Sequence, residues 1–203
     1  IMDLGKQNIL FFTRTMMLGG TENVVLQLCE VFKPKVNKIV VCSCGGVNVE
    51  KLTEMGIRHY QIPDISSKKD MFKICRTVKK IVEKEQITVI HSHHRMAAFY
   101  TEILFGSSII KIANAHNTFF DKKLLTRFAY RNTKVIAVGK MVKKNLVDYF
   151  RIPEKQVSVI HNAVKPFDGD YIEDKYIRKL HDDGNFVVGN IGRLSEQKGM
   201  EYF

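Results

Sequence analysis

Seven short apolar runs alternate with longer amphipathic stretches along the chain, and this alternation constrains the fold more than any other feature. Each run is four to six residues long and rich in Ile and Val, which is typical of strands buried on both faces of a parallel sheet. The predicted strands are residues 8–13, 38–42, 58–62, 88–91, 109–113, 135–138 and 157–160. We therefore predict an α/β domain with a doubly wound, Rossmann-like parallel sheet.

Positive charge is concentrated in two amphipathic stretches. The chain has 203 residues and a net charge of +11, and segments 68–85 and 120–155 together hold 17 basic and 6 acidic residues, which accounts for the whole net charge. In 68–85 the basic residues recur at helical spacing beside an apolar stripe. The basic stripe consists of Lys69, Lys73, Arg76, Lys80 and Lys84. A localised basic surface indicates an anionic partner, such as nucleic acid, acidic lipid headgroups or a phosphorylated substrate, or else only a solvated helix face.

A change of pattern near residues 161–172 predicts a domain boundary. Pro166 favours extended geometry in the residue before it, and an acidic segment containing Gly169 follows, as in a linker. We divide the chain into a domain at 1–165 and a second segment at 166–203. A helix at 172–183 and a strand at 185–191 are predicted in that segment. It is too short to close a core, so we expect the truncated start of a second domain.

The cysteines and the apolar runs predict a cytoplasmic protein. Cys29, Cys42, Cys44 and Cys75 do not form a disulfide framework, and no C-x-x-C spacing is present, which is typical of a reducing compartment. No run approaches the roughly 18 consecutive apolar residues of a membrane-spanning helix, and no signal peptide opens the chain.

A pair of glycines separates the first predicted strand from a helix that runs to about residue 32. Gly19 and Gly20 would let backbone N–H groups approach an anion at the start of this helix, with Thr21 as its N-cap, or would form a plain tight turn. The dinucleotide pattern G-x-G-x-x-G is absent.

Histidines follow two of the predicted strands. His91 and His93 lie at one strand end, and the strand period places them on one face. This spacing suits a metal ion, but no third ligand lies at a recognisable distance, so we expect no metal. His116 and Asn117 follow the next strand. His116 would orient a hydroxyl in a cleft or serve as a satisfied structural histidine.

Two cations follow the strand predicted near the end of the chain. In G-N-I-G-R-L-S-E-Q-K-G, residues 189–199, Arg193 offers a forked donor and Lys198 a compact charge, both suited to phosphate oxygens. The Walker pattern G-x-x-x-x-G-K-[ST] is absent, which disfavours a nucleoside-triphosphate switch.

Taken in chain order, these motifs resemble glycosyltransferase family 4. The resemblance rests on G-G-T-E, the H-x-H strand end, A-H-N, V-I-A-V-G-K-M-V-K-K-N-L, V-I-H-N-A-V and G-N-I-G-R-L-S-E-Q-K-G. It implies a retaining enzyme of the GT-B fold, with two facing Rossmann-like domains. This chain would be the amino-terminal half of that fold and the start of the carboxyl-terminal domain.

The resemblance also implies roles for individual residues. His116 matches the family histidine that contacts the transferred sugar near the reacting carbon. The residues implied to line or neutralise the donor diphosphate are Gly19, Gly20, Arg193 and Lys198. We assign His91, His93 and Asn117 to the acceptor side of the cleft because strand ends of open α/β sheets line ligand sites.

We therefore expect a hexosyltransferase of polysaccharide or glycolipid biosynthesis. It would move a sugar from a nucleotide-diphosphate sugar to a glycan or a polyprenyl-linked acceptor, with retention and without a metal ion or other cofactor. The basic stripes would face anionic lipid, making the protein peripheral at the inner face of the cell membrane. The family's E-x7-E element would lie beyond residue 203, so this fragment alone is expected to be inactive.

Two other classes of function are compatible with the charge. The first is a non-catalytic domain that binds an acceptor or a membrane. The second is a nucleic-acid-binding module, which is disfavoured because no aromatic platform accompanies the lysine runs, so no nucleic-acid partner is expected.

Overall fold

Strand order in the sheet reverses once, between β1 and β4. In the computed structural model, which describes residues 3–164, 166, 168–192, 194, 196 and 199–202, seven parallel strands lie in the order β3-β2-β1-β4-β5-β6-β7. The strands are β1 (Asn8–Phe12), β2 (Lys38–Ser43), β3 (Arg58–Gln61), β4 (Val89–Ser92), β5 (Ile110–Ala115), β6 (Lys134–Ala137) and β7 (Val157–Val159). Each lies within two residues of a predicted strand, and the predicted doubly wound sheet is confirmed.

Helices connect consecutive strands, as parallel pairing requires. In the described part of the chain the α-helices are α1 (Gly20–Phe32), α2 (Val49–Glu54), α3 (Met71–Glu85), α4 (Arg95–Phe105), α5 (Lys123–Ala129), α6 (Lys140–Lys144) and α7 (Lys175–Asp182). Helix α6 continues into one turn of π-helix, Asn145–Tyr149.

The alternating side chains of β1 divide the core into two layers. Ile9 and Phe11 pack in one cluster with Val25 of α1, while Leu10 and Phe12 pack in another with residues of α3 and α4. Right-handed crossovers explain this division. Successive strands are added toward one edge of the sheet from β1 to β3 and toward the other edge from β4 to β7. Helix α1 therefore packs on one face of the sheet, and α3 and α4 pack on the other.

Helix α3 shows the predicted amphipathic pattern. Ile74, Val78 and Ile81 are buried, and the basic stripe of this helix is exposed. Burial of each such aliphatic side chain stabilises the fold by about 1.5–3 kcal/mol. The basic residues therefore stay in water because the apolar stripe holds the opposite side of the helix against the sheet.

Within residues 3–163, the face of the sheet over β4 to β7 on the side of α1 carries no helix. Ile110 is 45% exposed and Ile160 is 55% exposed. An apolar cavity of about 410 Å³ lies beside α1, with Val31, Ile112 and Ile136 in its lining. No helix in the described residues is long and apolar enough to span a membrane.

The chain divides after Ala163 into two units, two residues before the boundary expected from sequence. In the second unit, Asp174 caps α7 by accepting from the backbone N–H groups of Tyr176 and Ile177. The prediction of a strand at 185–191 is wrong, because these residues form no strand. A strand is stable only with a partner, and Phe186 is 94% exposed. The assignment of two functional domains stays a prediction.

Candidate active site

A polar cleft opens where the strand order reverses, at the carboxyl ends of β1, β4 and β5. Connections that leave neighbouring strands in opposite directions separate at such a point, and open α/β sheets bind ligands there. The cleft has a volume of about 260 Å³. Its lining includes Thr15, Glu22, His93, Arg95, His116 and Asn117.

Gly19 caps the amino terminus of α1, on one side of the cleft. Its backbone is extended, with φ −177° and ψ 164°, and α1 begins at Gly20. Thr21, expected as the N-cap, lies in the first turn of the helix, so that expectation is wrong. A Cβ atom on Gly19 would collide with the carboxylate of Glu22, whereas a Cβ on Gly20 would meet no atom within 4 Å.

Glu22 is a cleft carboxylate that sequence reasoning missed. It accepts a hydrogen bond from the hydroxyl of Thr15, and its position in the first helical turn is favoured by the helix dipole. The spacing G-G-T-E was the available signal. Because an anion near Gly19 and Gly20 would meet this like charge, the role of the two glycines in binding diphosphate stays a prediction.

Three histidines meet beside the cleft because β4 and β5 are neighbours in the sheet. His93 Nδ1 lies 3.2 Å from His116 Nε2, and the two ring centroids are 5.4 Å apart with the ring planes inclined at 29°. The ring of His91 lies 4.5 Å from that of His93, and His91 Nε2 donates to Asn114 Oδ1 at 2.8 Å. The sheet thus brings together histidines that are 25 positions apart in the sequence.

Burial keeps these imidazoles neutral near pH 7. Burial lowers the pKa of His91 to about 4 and holds the pKa of His93 well below its usual range. Burial also lowers the pKa of His116, against an opposing effect of the Glu22 charge. A neutral imidazole carries one N–H donor and one acceptor nitrogen. The direction of each hydrogen bond in the cluster therefore decides what His116 can offer to a ligand.

The three residues expected on the acceptor side, His91, His93 and Asn117, differ in how exposed they are to the cleft. Asn117 is exposed in the cleft. His93 is 2% exposed, and His91 is 7% exposed and lines the apolar cavity beside α1. Their acceptor-side role, like that of Asn117, stays a prediction.

The loop that follows β5, residues 116–122, is held by the π-helical turn. Asn145 Oδ1 accepts from the backbone N–H of Phe119 at 3.1 Å, and Asn145 Nδ2 donates to the carbonyl of Phe119 at 2.9 Å. The hydroxyl of Tyr149 donates to the carbonyl of Phe120 at 2.6 Å. These bonds fix the backbone beside His116, and sequence reasoning found none of them.

Arg95, at the start of α4, holds the same loop from the other side. Its guanidinium pairs with Asp121 at 2.8 Å and lies 4.8 Å from the ring centroid of Phe119. The Arg95 guanidinium is therefore already paired with a protein carboxylate. An anionic ligand in the cleft would compete with Asp121 for this cation.

Two predicted site residues, Arg193 and Lys198, lie outside the described residues, so their contact with a donor diphosphate stays a prediction. Within the described residues, no group of three His, Cys, Asp or Glu side chains could hold a metal ion.

One protein-family model matches this chain. The model described as Glycosyltransferase Family 4 matches residues 18–166. The matched region includes the glycine pair, the three histidines and the loop after β5.

The curated relatives that match are longer than this chain. One subunit of the phosphatidylinositol N-acetylglucosaminyltransferase of Homo sapiens is 27% identical over 203 residues, covering 91% of this chain and 40% of the relative. The GPI3 subunit of the corresponding transferase of Saccharomyces cerevisiae is 26% identical over 208 residues, covering 91% of this chain and 45% of the relative. The chain therefore spans less than half the length of these relatives.

Solved structures share the fold. The structure of Anabaena HepE in complex with UDP has a TM-score of 0.71 at 19% identity, covering 96% of this chain and 56% of that chain. A glycosyltransferase from Rickettsia africae has a TM-score of 0.69 at 15% identity, covering 88% of this chain and 49% of that chain. At such identities the likeness concerns the fold.

Proposed function

This chain belongs to glycosyltransferase family 4, and from that premise we propose that the protein transfers a sugar from a nucleotide-diphosphate sugar to an acceptor bound beside His116. The observation that carries the proposal is the polar cleft at the strand-order reversal, with His116 in its lining. Since the chain covers less than half of its curated relatives, the proposal concerns the whole protein, of which this chain supplies the acceptor side.

The donor chemistry needs positive charge at the leaving diphosphate. Arg193 and Lys198 are the residues proposed to neutralise it, because preorganised charge stabilises an anion that develops as the bond to the sugar breaks. This stabilisation would come from the protein's own cations, without a metal ion or other cofactor. Transfer with retention at the anomeric carbon is part of the proposal.

His116 is proposed to contact the transferred sugar. Its ring is held by the hydrogen bond to His93, and the following backbone is held through Phe119 by Asn145. Positioned hydrogen-bonding groups of this kind raise the rate by holding reactants in a productive geometry. His116 would therefore act through placement and hydrogen bonding, in its neutral form.

We propose a lipid-linked acceptor rather than a soluble glycan. The human and yeast relatives are named as subunits of phosphatidylinositol N-acetylglucosaminyltransferase. In this chain, Phe120 is 71% exposed and Leu124 is 78% exposed, and the exposed cations Lys122 and Lys123 lie beside them. We call these four residues the loop patch. Apolar tips beside cations suit the surface of an anionic bilayer, here proposed to be the cytoplasmic face of a membrane.

The central test is transfer by the full-length protein and by its His116→Ala variant. Each is incubated with vesicles containing phosphatidylinositol or a polyprenyl phosphate and with radiolabelled nucleotide sugars, beginning with UDP-N-acetylglucosamine. We expect label to enter the lipid phase with the wild-type protein and not with His116→Ala. Circular dichroism checks that the variant is folded.

His59→Ala provides the matched control, because His59 is a histidine of β3 in the same unit and does not line the cleft. It should transfer sugar at the wild-type rate. The proposal fails if no donor yields product, or if His116→Ala keeps the wild-type rate.

A second prediction concerns the 203-residue chain by itself. We expect no transfer from it, because only the start of the proposed donor-binding half is present. The same vesicle assay decides this, with the full-length protein as the positive control. Measurable transfer by residues 1–203 would show that these residues suffice for donor binding and chemistry.

The loop patch also favours a second candidate function, a non-catalytic domain that holds a lipid acceptor or a membrane. That function predicts vesicle binding by the full-length protein without transfer from any nucleotide sugar. The assay above therefore distinguishes it from the enzyme.

A further inference from the structure

His93 is placed to control His116 rather than to touch a ligand. We propose that His93 is a positioning residue that donates from Nδ1–H to Nε2 of His116, and so fixes His116 in the tautomer that carries its proton on Nδ1. This inference rests on the proposed function for its catalytic meaning, but the tautomer itself is a property of the folded protein.

The geometry allows only one proton between the two rings. His93 Nδ1 and His116 Nε2 are 3.2 Å apart, which is hydrogen-bond distance, so one nitrogen donates and the other accepts. Both rings are neutral near pH 7, since burial lowers the pKa of each. The choice between donor and acceptor at this contact therefore sets the tautomer of both histidines.

His93 has little freedom to change its orientation. Its ring is packed between His91, at 4.5 Å, and His116, at 5.4 Å between centroids, and Phe11 lies 5.8 Å away. His91 is held in turn by its bond to Asn114 Oδ1. The donor atom of His93 is thus fixed by the β4 and β5 strand ends and not by a mobile loop.

The unpaired nitrogen of His93 decides the direction. Among the described residues, His93 Nε2 is a buried side-chain atom without a hydrogen-bond partner. If His116 donated to His93, this nitrogen would carry the proton and become a buried N–H without an acceptor. If His93 donates, Nε2 is only an unused lone pair. In folded proteins a buried backbone N–H without an acceptor is rarer than a carbonyl with an unused lone pair, and by the same reasoning the second arrangement is favoured here.

This tautomer determines what the cleft presents to a substrate. With Nε2 occupied by His93, His116 offers Nδ1–H as a donor to an oxygen of the sugar or of the acceptor, and it does not offer a basic lone pair. The negative charge of Glu22 in α1 raises the pKa of His116 and so opposes the effect of burial.

The first test measures the tautomer directly by 15N–1H correlation NMR of the folded protein without substrate. We expect His116 to be protonated on Nδ1 in the wild type. Protonation on Nε2 would overturn the inference, whatever the protein is found to catalyse.

A matched pair of variants tests the role of His93. Asn and Leu have the same shape, but only the amide of His93→Asn keeps an N–H donor near the position of Nδ1. We expect His93→Asn to retain the Nδ1–H tautomer of His116 and His93→Leu to give a mixture. Both substitutions remove the same ring, so a difference between them reports the donor and not the lost packing. Equal tautomer populations in the two variants would contradict the proposal.

Transfer by the full-length protein supplies the second readout. We expect His93→Leu to lower kcat by about 100-fold with little change in KM for the nucleotide sugar, because a misplaced imidazole proton removes a hydrogen bond needed in the transition state. We expect His93→Asn to recover most of the rate. If His116 has the expected tautomer but the wild type transfers no sugar, the proposed function fails and the positioning contact stands. If transfer occurs but both variants have equal kcat, the positioning role fails and the function stands.

Discussion

The two glycines that open α1 differ in what a side chain at each position would contact. At Gly19 a Cβ would overlap the carboxylate of Glu22, which folds back toward the start of the helix, whereas at Gly20 the corresponding space is empty. A side chain at position 19 would therefore collide with Glu22, whereas the space beside Gly20 contains no protein atom within 4 Å.

We expect opposite effects on stability from alanine at these two positions. Gly19→Ala should lower the free energy of unfolding by about 0.5–1.5 kcal/mol, because the end of the Glu22 side chain has to move and gives up its hydrogen bond with Thr15. Gly20→Ala should raise it by about 0.5 kcal/mol, because alanine is the better helix former. Urea unfolding monitored by circular dichroism measures both.

The double variant Gly19→Ala with Glu22→Ala serves as the control, since removal of the carboxylate should relieve the collision. Gly19→Ala should then cost little in the Glu22→Ala background. An unchanged cost there would mean that the collision with Glu22 is not the cause.

At the scale of elements, Glu85 ties the end of α3 to the start of two strands. Its carboxylate, 5% exposed, pairs with Lys38 at 3.0 Å and with Arg58 at 2.9 Å, and it accepts from the hydroxyl of Tyr60. The Tyr60 hydrogen bond, with the two cations, lowers the pKa of Glu85 from 4.5 to about 2.

This lowered pKa gives the stability a defined dependence on pH. The contribution of Glu85 is complete above its unfolded pKa of 4.5 and is lost as the pH falls toward about 2. Glu85→Gln should therefore lower the free energy of unfolding by about 3 kcal/mol at pH 7, and the difference from wild type should shrink below pH 4. Urea titrations at pH 7, 4 and 3 measure it.

Glu83→Gln is the matched control, because Glu83 is exposed on the same helix. We expect it to change the unfolding free energy by less than about 0.5 kcal/mol at every pH. A Glu85→Gln deficit that stayed constant between pH 7 and pH 3 would show that the loss is one of packing and not of charge.

The seven strands of the sheet were predicted from sequence, whereas the strand predicted at 185–191 is wrong, for one physical reason. The runs at 157–160 and 185–191 both contain two valines and an isoleucine. Val157 lies opposite Val135 of β6, whereas residues 185–191 have no strand to pair with among the described residues. Apolar composition predicts that a segment can be a strand, and the partner decides whether it becomes one.

The site was predictable only in part. The histidines lie together at strand ends, because neighbouring parallel strands end at the same edge of the sheet, and their roles in a site stay predictions. The contact between Asn145 and Phe119 spans 26 residues and depends on a π-helical turn, which no local pattern indicated. Glu22 was missed because the spacing G-G-T-E does not show by itself that the Glu22 carboxylate occupies the space that a Cβ of Gly19 would fill.

At the scale of the whole molecule, the positive charge and the loop patch predict how the protein meets a bilayer. Lys122 and Lys123 should each contribute about 1 kcal/mol near an anionic surface. The double variant Lys122→Glu with Lys123→Glu should therefore lower the affinity for vesicles containing phosphatidylinositol by about 10-fold or more. Co-sedimentation of the full-length protein at two salt concentrations measures this.

The control changes the net charge equally at a distance from the loop patch, by Lys35→Glu with Lys51→Glu, both exposed near α1 and α2. We expect it to retain most of the vesicle affinity. Equal losses in the two double variants, or binding that does not depend on lipid charge and salt, would argue against a membrane-facing loop patch.

The position of β1 has a consequence for synthesis. This strand leaves the ribosome before the other six strands, yet it lies in the interior of the sheet between β2 and β4. At roughly 5–20 residues per second, β4 emerges about 4–15 s after β1. Until β4 pairs with it, β1 has at least one open hydrogen-bonding edge, and its apolar side chains lack their full cover. The nascent chain is therefore most prone to aggregation while it is being translated. A chaperone that binds unfolded chains should protect it more during translation than after folding.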